Sequence, residues 1–264
     1  MDQQEAEIRN IKKDIELSGF PLEIQVSSIL RNKNWGVQNQ AYYLDKEKKI
    51  ARSVDVIGNK GLIEPIGNYD RLHVSLIIEC KRSPSKPWVF YTSQRDPRAI
   101  DLESIGVLKF FEYTNNIFSK RPFIDWIVNS CHYSTDYTDF AVNWYEPYKK
   151  GKGRAIKTAV HQVTKATNYN LEEMKDVYEK LHGRTSFRPF FLRYSVIVFD
   201  GKMYECIPQE KDIEVRRRSS FLYSYGSHQK INFIDILEIG LLEKYVERID
   251  REISDLKQAL AQST

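Results

Sequence analysis

The pattern of apolar and polar residues in the first third of the chain predicts two helices followed by three strands. Apolar residues three and four positions apart predict a helix over residues 2–17, and Phe20-Pro21 is predicted to start a second helix. The apolar stripe of the first helix is Ile8, Ile11 and Ile15. Strands are predicted over residues 37–44, 50–57 and 71–81. The third of these is almost entirely apolar over residues 74–78, which indicates a central strand covered on both faces.

The middle of the chain is predicted to interrupt this sheet with an insertion of about residues 84–148. Two prolines and two serines in residues 83–87 are predicted to stop the third strand. Helical spacing follows over residues 102–118, and then a stretch rich in aromatic residues that includes Trp126 and Tyr133. These aromatic side chains form either the core of a small subdomain or platforms on which unpaired bases stack.

The last part of the chain predicts further helices and strands. Helices are predicted over residues 155–167 and 171–181 and strands over residues 188–198, 219–225 and 233–237. Asp200-Gly201 predicts a hairpin turn with a return strand over residues 202–207. Apolar residues at alternating spacings of three and four predict a long C-terminal helix over about residues 238–262. Its seam is expected to pack on the first helix or, in a homodimer, on a second copy.

Composition narrows the class of protein only slightly. The 264 residues carry a formal net charge of +4, which permits a nucleic-acid partner without requiring one. The three cysteines, Cys80, Cys131 and Cys206, are too widely spaced for a zinc ribbon or a disulfide scaffold. The polar N-terminus is unlike a signal peptide, and no apolar run reaches membrane-spanning length. We therefore expect a cytoplasmic protein without a membrane partner.

Three charged residues interrupt the apolar strands of the predicted sheet. Asp55 lies inside the second strand, and Glu79 and Lys81 lie at the end of the third. Alternation along a strand places Glu79 and Lys81 on the same face. Charges on strands this apolar are costly unless they are paired or used in function. They form either a buried ion-pair trio that ties two strands together or part of a catalytic site.

Asp55 followed by Glu79-Cys80-Lys81 at the end of an apolar strand resembles the PD-(D/E)xK nuclease superfamily. The order of elements is similar as well, because a helix with Glu23 and a strand near Tyr42 precede the Asp55 strand. The resemblance covers residues 20–82 and 153–207. It implies an α/β fold with a restriction-endonuclease-like αβββαβ core, a mixed central sheet flanked by helices. The whole chain, residues 1–264, would then be a single nuclease-like domain with its insertion and its long C-terminal helix.

The resemblance implies a metal-dependent endonuclease that hydrolyses phosphodiester bonds, with DNA as the expected substrate. Asp55, Glu79 and the main-chain carbonyl of Cys80 would hold Mg²⁺ or Mn²⁺, both of which accept hard oxygen ligands. Lys81 would orient or activate the attacking water, and we expect its pKa to be lowered. Glu23 would be a further acid facing the metal, or simply an acid in the favourable first turn of a helix.

A second short motif of the resemblance falls on the helix predicted over residues 155–167. Gln162 and Lys165 are spaced as in the Q-x-x-K helix of several branches of the superfamily and would position the scissile phosphate. His161 has no partner at metal-ligand spacing and is interpreted as structural or exposed.

A basic, glycine-containing segment precedes the same helix and is the candidate contact for the nucleic-acid backbone. Lys150, Lys152 and Arg154 would bind phosphate at the helix start, or else form a solvated linker. The alternative function is a nuclease-fold protein that binds nucleic acid or acts as an adaptor without catalysis.

Overall fold

The computed structural model describes residues 3–62, 71–94, 111–113, 120–135, 139–148, 154–186, 189–210, 212–227 and 230–262. The helices are α1 (Gln3–Leu17), α2 (Phe20–Asn32), α3 (Lys120–Asn129), α4 (His132–Thr135), α5 (Ala155–Ser186) and α6 (Leu242–Ala261), the last preceded by a 3₁₀ turn at Ile239–Leu241. The strands are β1 (Gly36–Asp45), β2 (Ile50–Leu62), β3 (Arg71–Gln94), β4 (Phe111–Tyr113), β5 (Asp139–Tyr145), β6 (Pro189–Pro208), β7 (Ile213–Arg217), β8 (Ser220–Ser227) and β9 (Lys230–Glu238).

These strands form a mixed sheet whose centre is parallel. Strand β3 pairs in parallel with β6, and β6 pairs in parallel with β9. Antiparallel pairs extend both sides, β1 and β2 next to β3, and β8 next to β9. Parallel central strands are buried on both faces, as the nearly continuous apolar run at residues 74–78 predicts. The α/β class and the mixed sheet are confirmed.

Helices cover both faces of the sheet, so the core has two layers. On one face α2, α3 and α6 pack against a cluster that includes Leu30, Leu76 and Val246. On the other face α5 packs through residues such as Val160 against Ile236. The helix predicted over residues 155–167 is therefore confirmed, although α5 is one continuous helix where two were predicted.

The prediction that residues 83–87 end the third strand is wrong. Strand β3 continues to Gln94, with an irregularity in its pairing with β6 between Ser83 and Trp88. Proline is tolerated in a strand at such a bulge, where a ladder hydrogen bond is already missing. Trp88 then stacks on Phe199 of β6 with ring centroids 4.1 Å apart. The first residues of the predicted insertion thus belong to the main sheet.

The hairpin predicted at Asp200-Gly201 is also absent, because β6 runs through this dipeptide without turning. Gly201 lies opposite Ser83 of β3. A Cβ atom at this position would lie 2.7 Å from the carbonyl oxygen of Ser83 and would overlap the ring of Phe199. The glycine is therefore needed for close approach of neighbouring strands and not for a turn.

The predicted helix over residues 102–118 is wrong at Phe111–Tyr113, which forms β4 against β6. Residues 101–110 and 114–119 lie outside the described residues. Trp126 and Tyr133 are buried in the core cluster beneath α6, as core residues of the main domain.

The apolar seam of α6 is buried within the chain. Its residues pack mainly against α3 and α2, and α1 is not its main partner. The first helix, α1, forms as predicted, but its stripe at Ile8, Ile11 and Ile15 is exposed. The homodimer stays a prediction. In the described residues, no helix is long and apolar enough to cross a membrane.

Candidate active site

Asp55 and Glu79 lie opposite each other on neighbouring strands. Val56 of β2 pairs with Ile78 of β3 in an antiparallel register, and the next position along brings Asp55 level with Glu79. Asp55 Oδ2 accepts a hydrogen bond of 2.7 Å from the main-chain N–H of Cys80. This bond fixes the Asp55 carboxylate beside the Glu79-Cys80-Lys81 segment.

Glu79 is almost completely buried, with 1% of its side chain exposed, and only one of its carboxylate oxygens has a partner. Glu79 Oε1 accepts a hydrogen bond from Lys81 Nζ at 2.5 Å. Glu79 Oε2 is buried without a hydrogen-bond partner among the described residues. Burial, and then the neighbouring charge of Asp55, raise the pKa of Glu79 to about 7.

Lys81 keeps its charge, contrary to the prediction that its pKa is lowered. Burial does disfavour the ammonium, but the nearby carboxylates of Glu79 and Asp55 outweigh it, so the pKa of Lys81 is raised. A lysine in this state cannot act as a general base near neutral pH. It can act as a fixed positive charge and a hydrogen-bond donor.

Glu23 lies in the first turn of α2 and joins this group from the other side. Its carboxylate is close enough for Asp55 to raise its pKa, after the larger effect of burial. Gln40 Nε2 donates a hydrogen bond of 2.6 Å to Glu23 Oε2, and Ser53 Oγ donates one of 3.0 Å to Gln40 Oε1. Burial raises the pKa of Asp55, and a hydrogen bond with Gln40 is one of the smaller effects that oppose this increase.

Gln40 is a site residue that the sequence did not reveal. It lies level with Asp55 in the β1–β2 register, between the paired Asn39–Val56 and Ala41–Val54. Its φ angle is +49°, in the left-handed region that non-glycine residues rarely adopt. Nothing in the polar sequence Gln38-Asn39-Gln40 distinguishes this residue from an exposed strand position.

Part of this group lines a cavity of about 520 Å³ at the start of the α2 helix. Glu23, Asp55, Cys80 and Lys81 contribute to its wall. Arg82 also lines it and is held by Asp200 Oδ2 at 2.9 Å and by the main-chain carbonyl of Glu16. The cavity therefore makes Asp55 and Lys81 accessible from outside the protein.

The donor set fits a hard divalent cation. Asp55 and Glu79 supply carboxylate oxygens, the Cys80 carbonyl would supply a main-chain oxygen, and Mg²⁺ takes one or two protein carboxylates. The unpartnered Oε2 of Glu79 is a buried oxygen that lacks a positive partner, which a cation would provide. Nothing in the donor set is soft, so a hard ion is favoured over zinc.

Gln162 and Lys165 of α5 line a second and larger cavity, of about 750 Å³, between α5 and the β1–β2 hairpin. Lys165 Nζ is 3.0 Å from Asp45 Oδ1 and 2.6 Å from Glu47 Oε2. Gln162 Oε1 is buried without a hydrogen-bond partner among the described residues. Both residues are therefore separate from the cavity that holds Asp55.

The larger cavity nevertheless lies close to the buried carboxylate of Glu79. Tyr43 lines it, and Glu79 is one of the causes, after burial, that raise the pKa of Tyr43. Arg154 and His161 also line it. Burial lowers the pKa of His161, as suits a structural residue. Lys150 and Lys152 lie outside the described residues.

A second buried polar group, centred on His132, was also not predicted from the sequence. Asp235 lies 3.1 Å from its Nε2, and Glu252 lies 2.8 Å from its Nδ1. The donor atoms of Cys131, His132 and Glu252 are close enough together to hold a metal ion. However, Glu252 Oε1 already accepts hydrogen bonds from His132 N, His132 Nδ1 and Arg248 Nε. This oxygen is saturated, so we interpret the group as an ion network that ties α4 to β9 and α6.

Comparison of the chain with protein-family models, with curated proteins and with solved structures found no match. The assignment of function therefore depends on the geometry of the site.

Proposed function

We propose that this protein is a metal-dependent nuclease that hydrolyses phosphodiester bonds, with DNA as its substrate. One observation carries the proposal: Asp55 and Glu79 lie level on adjacent strands beside Lys81, and one buried oxygen of Glu79 has no partner. A structural ion-pair trio would be expected to use that oxygen, because an unsatisfied buried carboxylate oxygen costs free energy.

Each group has a role that follows from its charge and position. Asp55 and Glu79, with the Cys80 carbonyl, would hold Mg²⁺, which when bound supplies a water of lowered pKa and neutralises charge on the phosphate. Lys81 remains protonated and stabilises the negative charge that develops on the phosphoryl oxygens. Gln40 fixes Glu23 beside Asp55 and so sets the outer wall of the site.

The charge around the larger cavity supports a nucleic-acid substrate. Its lining includes the cations Lys48, Arg154 and Lys157 on the β1–β2 hairpin and the start of α5, whereas Arg52 is paired with Asp45. Contacts of lysine and arginine with backbone phosphates supply most of the sequence-independent affinity for nucleic acid. Lys165 forms ion pairs with Asp45 and Glu47. We therefore assign it a role in shaping the cavity and not in binding phosphate.

The order of elements supports the finer fold that goes with this function. Helix α2 precedes the antiparallel strands β1, β2 and β3, and α5 then leads to β6, which is parallel to β3. This is the αβββαβ order that the resemblance to the PD-(D/E)xK nucleases implies. We propose a restriction-endonuclease-like core on this basis, with residues 88–94 and β5 as an extension of its sheet.

A cleavage assay tests the proposed function. Plasmid DNA, single-stranded DNA and RNA are incubated with the wild type in Mg²⁺ or in EDTA, and with Asp55→Asn and Glu79→Gln. The control is Asp255→Asn, which removes an exposed carboxylate of α6. We expect cleavage that requires Mg²⁺, falls at least 100-fold in both site variants and is unchanged in the control. Equal cleavage by all variants would contradict the proposal, as would binding of DNA by the wild type without cleavage in Mg²⁺.

A further inference from the structure

A third cavity, of about 340 Å³, lies between β9 and the first half of α6 and is strongly basic. Arg218, Lys244, Arg248 and Arg251 line it, and Leu237 contributes to its apolar floor. Its volume is at the lower end of the range for small-ligand sites. No acidic side chain is among its lining residues.

Two of the four cations are already paired, and two are not. Arg218 is bonded to Asp139 and Glu205, and Arg248 is bonded to Glu252. Lys244 and Arg251 are exposed and make no hydrogen bond or ion pair with the part of the chain that the structure describes. These two side chains are therefore available to an anionic ligand.

The spacing of the cations on α6 adds to this argument. Lys244, Arg248 and Arg251 lie at positions i, i+4 and i+7, so they project from one face of the helix. Lys244 and Arg251 are close enough to Glu247 to lower its pKa, after the larger effect of Lys33, which is paired with that carboxylate.

The cavity also has a defined position relative to the candidate active site. Cys80 of β3, Val198 of β6 and Leu237 of β9 are in register across the parallel strands, and all three belong to the same core cluster. Two strand spacings separate Cys80 from Leu237, roughly 10 Å. Cys80 lines the cavity of the candidate site and Leu237 lines the basic one, so both cavities border the same part of the sheet.

We propose that this basic cavity binds a phosphate group of the nucleic-acid strand. The choice of a nucleic-acid strand as the source of the phosphate rests on the proposed nuclease function. Arg251 can engage two phosphate oxygens at once through its planar guanidinium, and Lys244 adds a point charge. Arg218 and Arg248 line the site and keep their ion pairs with Asp139 and Glu252 when the phosphate binds.

Binding of a fluorescent 20-nucleotide DNA duplex, measured by anisotropy in Ca²⁺ so that cleavage does not interfere, tests the proposal. The variant is Lys244→Gln/Arg251→Gln. The control is Lys180→Gln/Lys257→Gln, which removes the same charge from α5 and from the other end of α6. We expect at least tenfold weaker binding by the variant only, and a dependence of log Kd on log salt reduced by about 0.9, the contribution of one phosphate contact on duplex DNA. Lys244→Arg, which keeps the positive charge and leaves Arg251 in place, should bind as the wild type does.

Two further arms separate the sources of phosphate and the two proposals. Inorganic phosphate and a 5′-mononucleotide are titrated in place of the duplex, and Mg²⁺-dependent cleavage is measured for the same variants. A double variant that binds the duplex like the control overturns this inference, as does one that loses only the mononucleotide. If the wild type does not cleave DNA but the double variant still binds the duplex more weakly, the proposed nuclease function is contradicted. The proposal that the basic cavity binds phosphate is then supported on its own.

Discussion

Gln40 Nε2 donates a hydrogen bond of 2.6 Å to Glu23 Oε2 from a backbone whose φ angle is +49°. A non-glycine residue in this region carries roughly 1–2 kcal/mol of strain. Such strain persists where the surrounding structure requires it, and it is concentrated at functional sites. The contact therefore links a strained position in β1 to the acid that faces Asp55.

Substitution of Gln40 separates the strain from the contact. Gln40→Gly relieves the strain and Gln40→Ala keeps it, so we expect the glycine variant to be more stable than the alanine variant by about 1 kcal/mol. Both variants lose the bond to Glu23, and we expect both to cleave about tenfold more slowly. Urea denaturation gives the free energies of unfolding. An alanine variant at least as stable as the glycine variant would show that the position is not strained.

The titration of Glu79 makes stability depend on pH. Its pKa is raised from 4.5 to about 7 in the folded protein. The stabilisation that follows is fully present below pH 4.5 and is lost as the pH rises through about 7. At about 1.4 kcal/mol per unit, the loss is on the order of 3 kcal/mol.

Glu79→Gln should abolish this pH dependence, and Mg²⁺ should raise the stability of the wild type more at pH 8 than at pH 6. Thermal unfolding at both pH values, with and without Mg²⁺, measures these effects. An Mg²⁺ effect of the same size in Glu79→Gln would place the ion elsewhere.

The buried His132 makes the stability of the protein depend on pH in the alkaline range. Burial disfavours the charge of His132, but Asp235 and Glu252 outweigh it and raise its pKa from 6.5 to about 10. The resulting stability is fully present below pH 6.5 and is lost as the pH rises through about 10. His132→Gln leaves two buried carboxylates without their cation and should cost about 3–5 kcal/mol near pH 6.5.

The difference between the wild type and His132→Gln should shrink as the pH approaches 10.5, measured by urea denaturation. His161→Gln is the matched control, because burial lowers the pKa of His161. Its difference from the wild type should be constant over the same range. A constant difference for His132→Gln as well would mean that His132 is neutral in the folded protein.

The two glycines Gly201 and Gly240 test the course of β6. A Cβ atom at Gly201 overlaps Phe199 and approaches the Ser83 carbonyl, whereas nothing lies within 4 Å of one at Gly240. We expect Gly201→Ala to lower the free energy of unfolding by about 1–3 kcal/mol. Gly240→Ala should change it by less than about 0.5 kcal/mol. Equal effects would indicate that β6 turns at Asp200-Gly201, as the local sequence predicts.

The local sequence was sufficient to predict the strands that carry the candidate site. Short apolar runs located β1, β2 and the start of β3, and the cost of burying Asp55 and Glu79 indicated that they are paired or used in function. The seam of α6 was equally visible, because its spacing is regular.

Features that depend on distant neighbours could not be predicted. Asp200-Gly201 favours a turn locally, yet pairing with β3 keeps β6 extended. The network of His132 joins residues more than 100 positions apart, and no local pattern reports it. The strained backbone of Gln40 depends on contacts with α2 and β2.

Binding of Mn²⁺, measured by electron paramagnetic resonance at pH 7.5, tests most directly whether Asp55 and Glu79 hold a divalent ion. We predict one bound ion in the wild type and in Asp255→Asn, with at least tenfold weaker binding in Asp55→Asn and in Glu79→Gln. Equal Mn²⁺ binding by all four proteins would contradict the account.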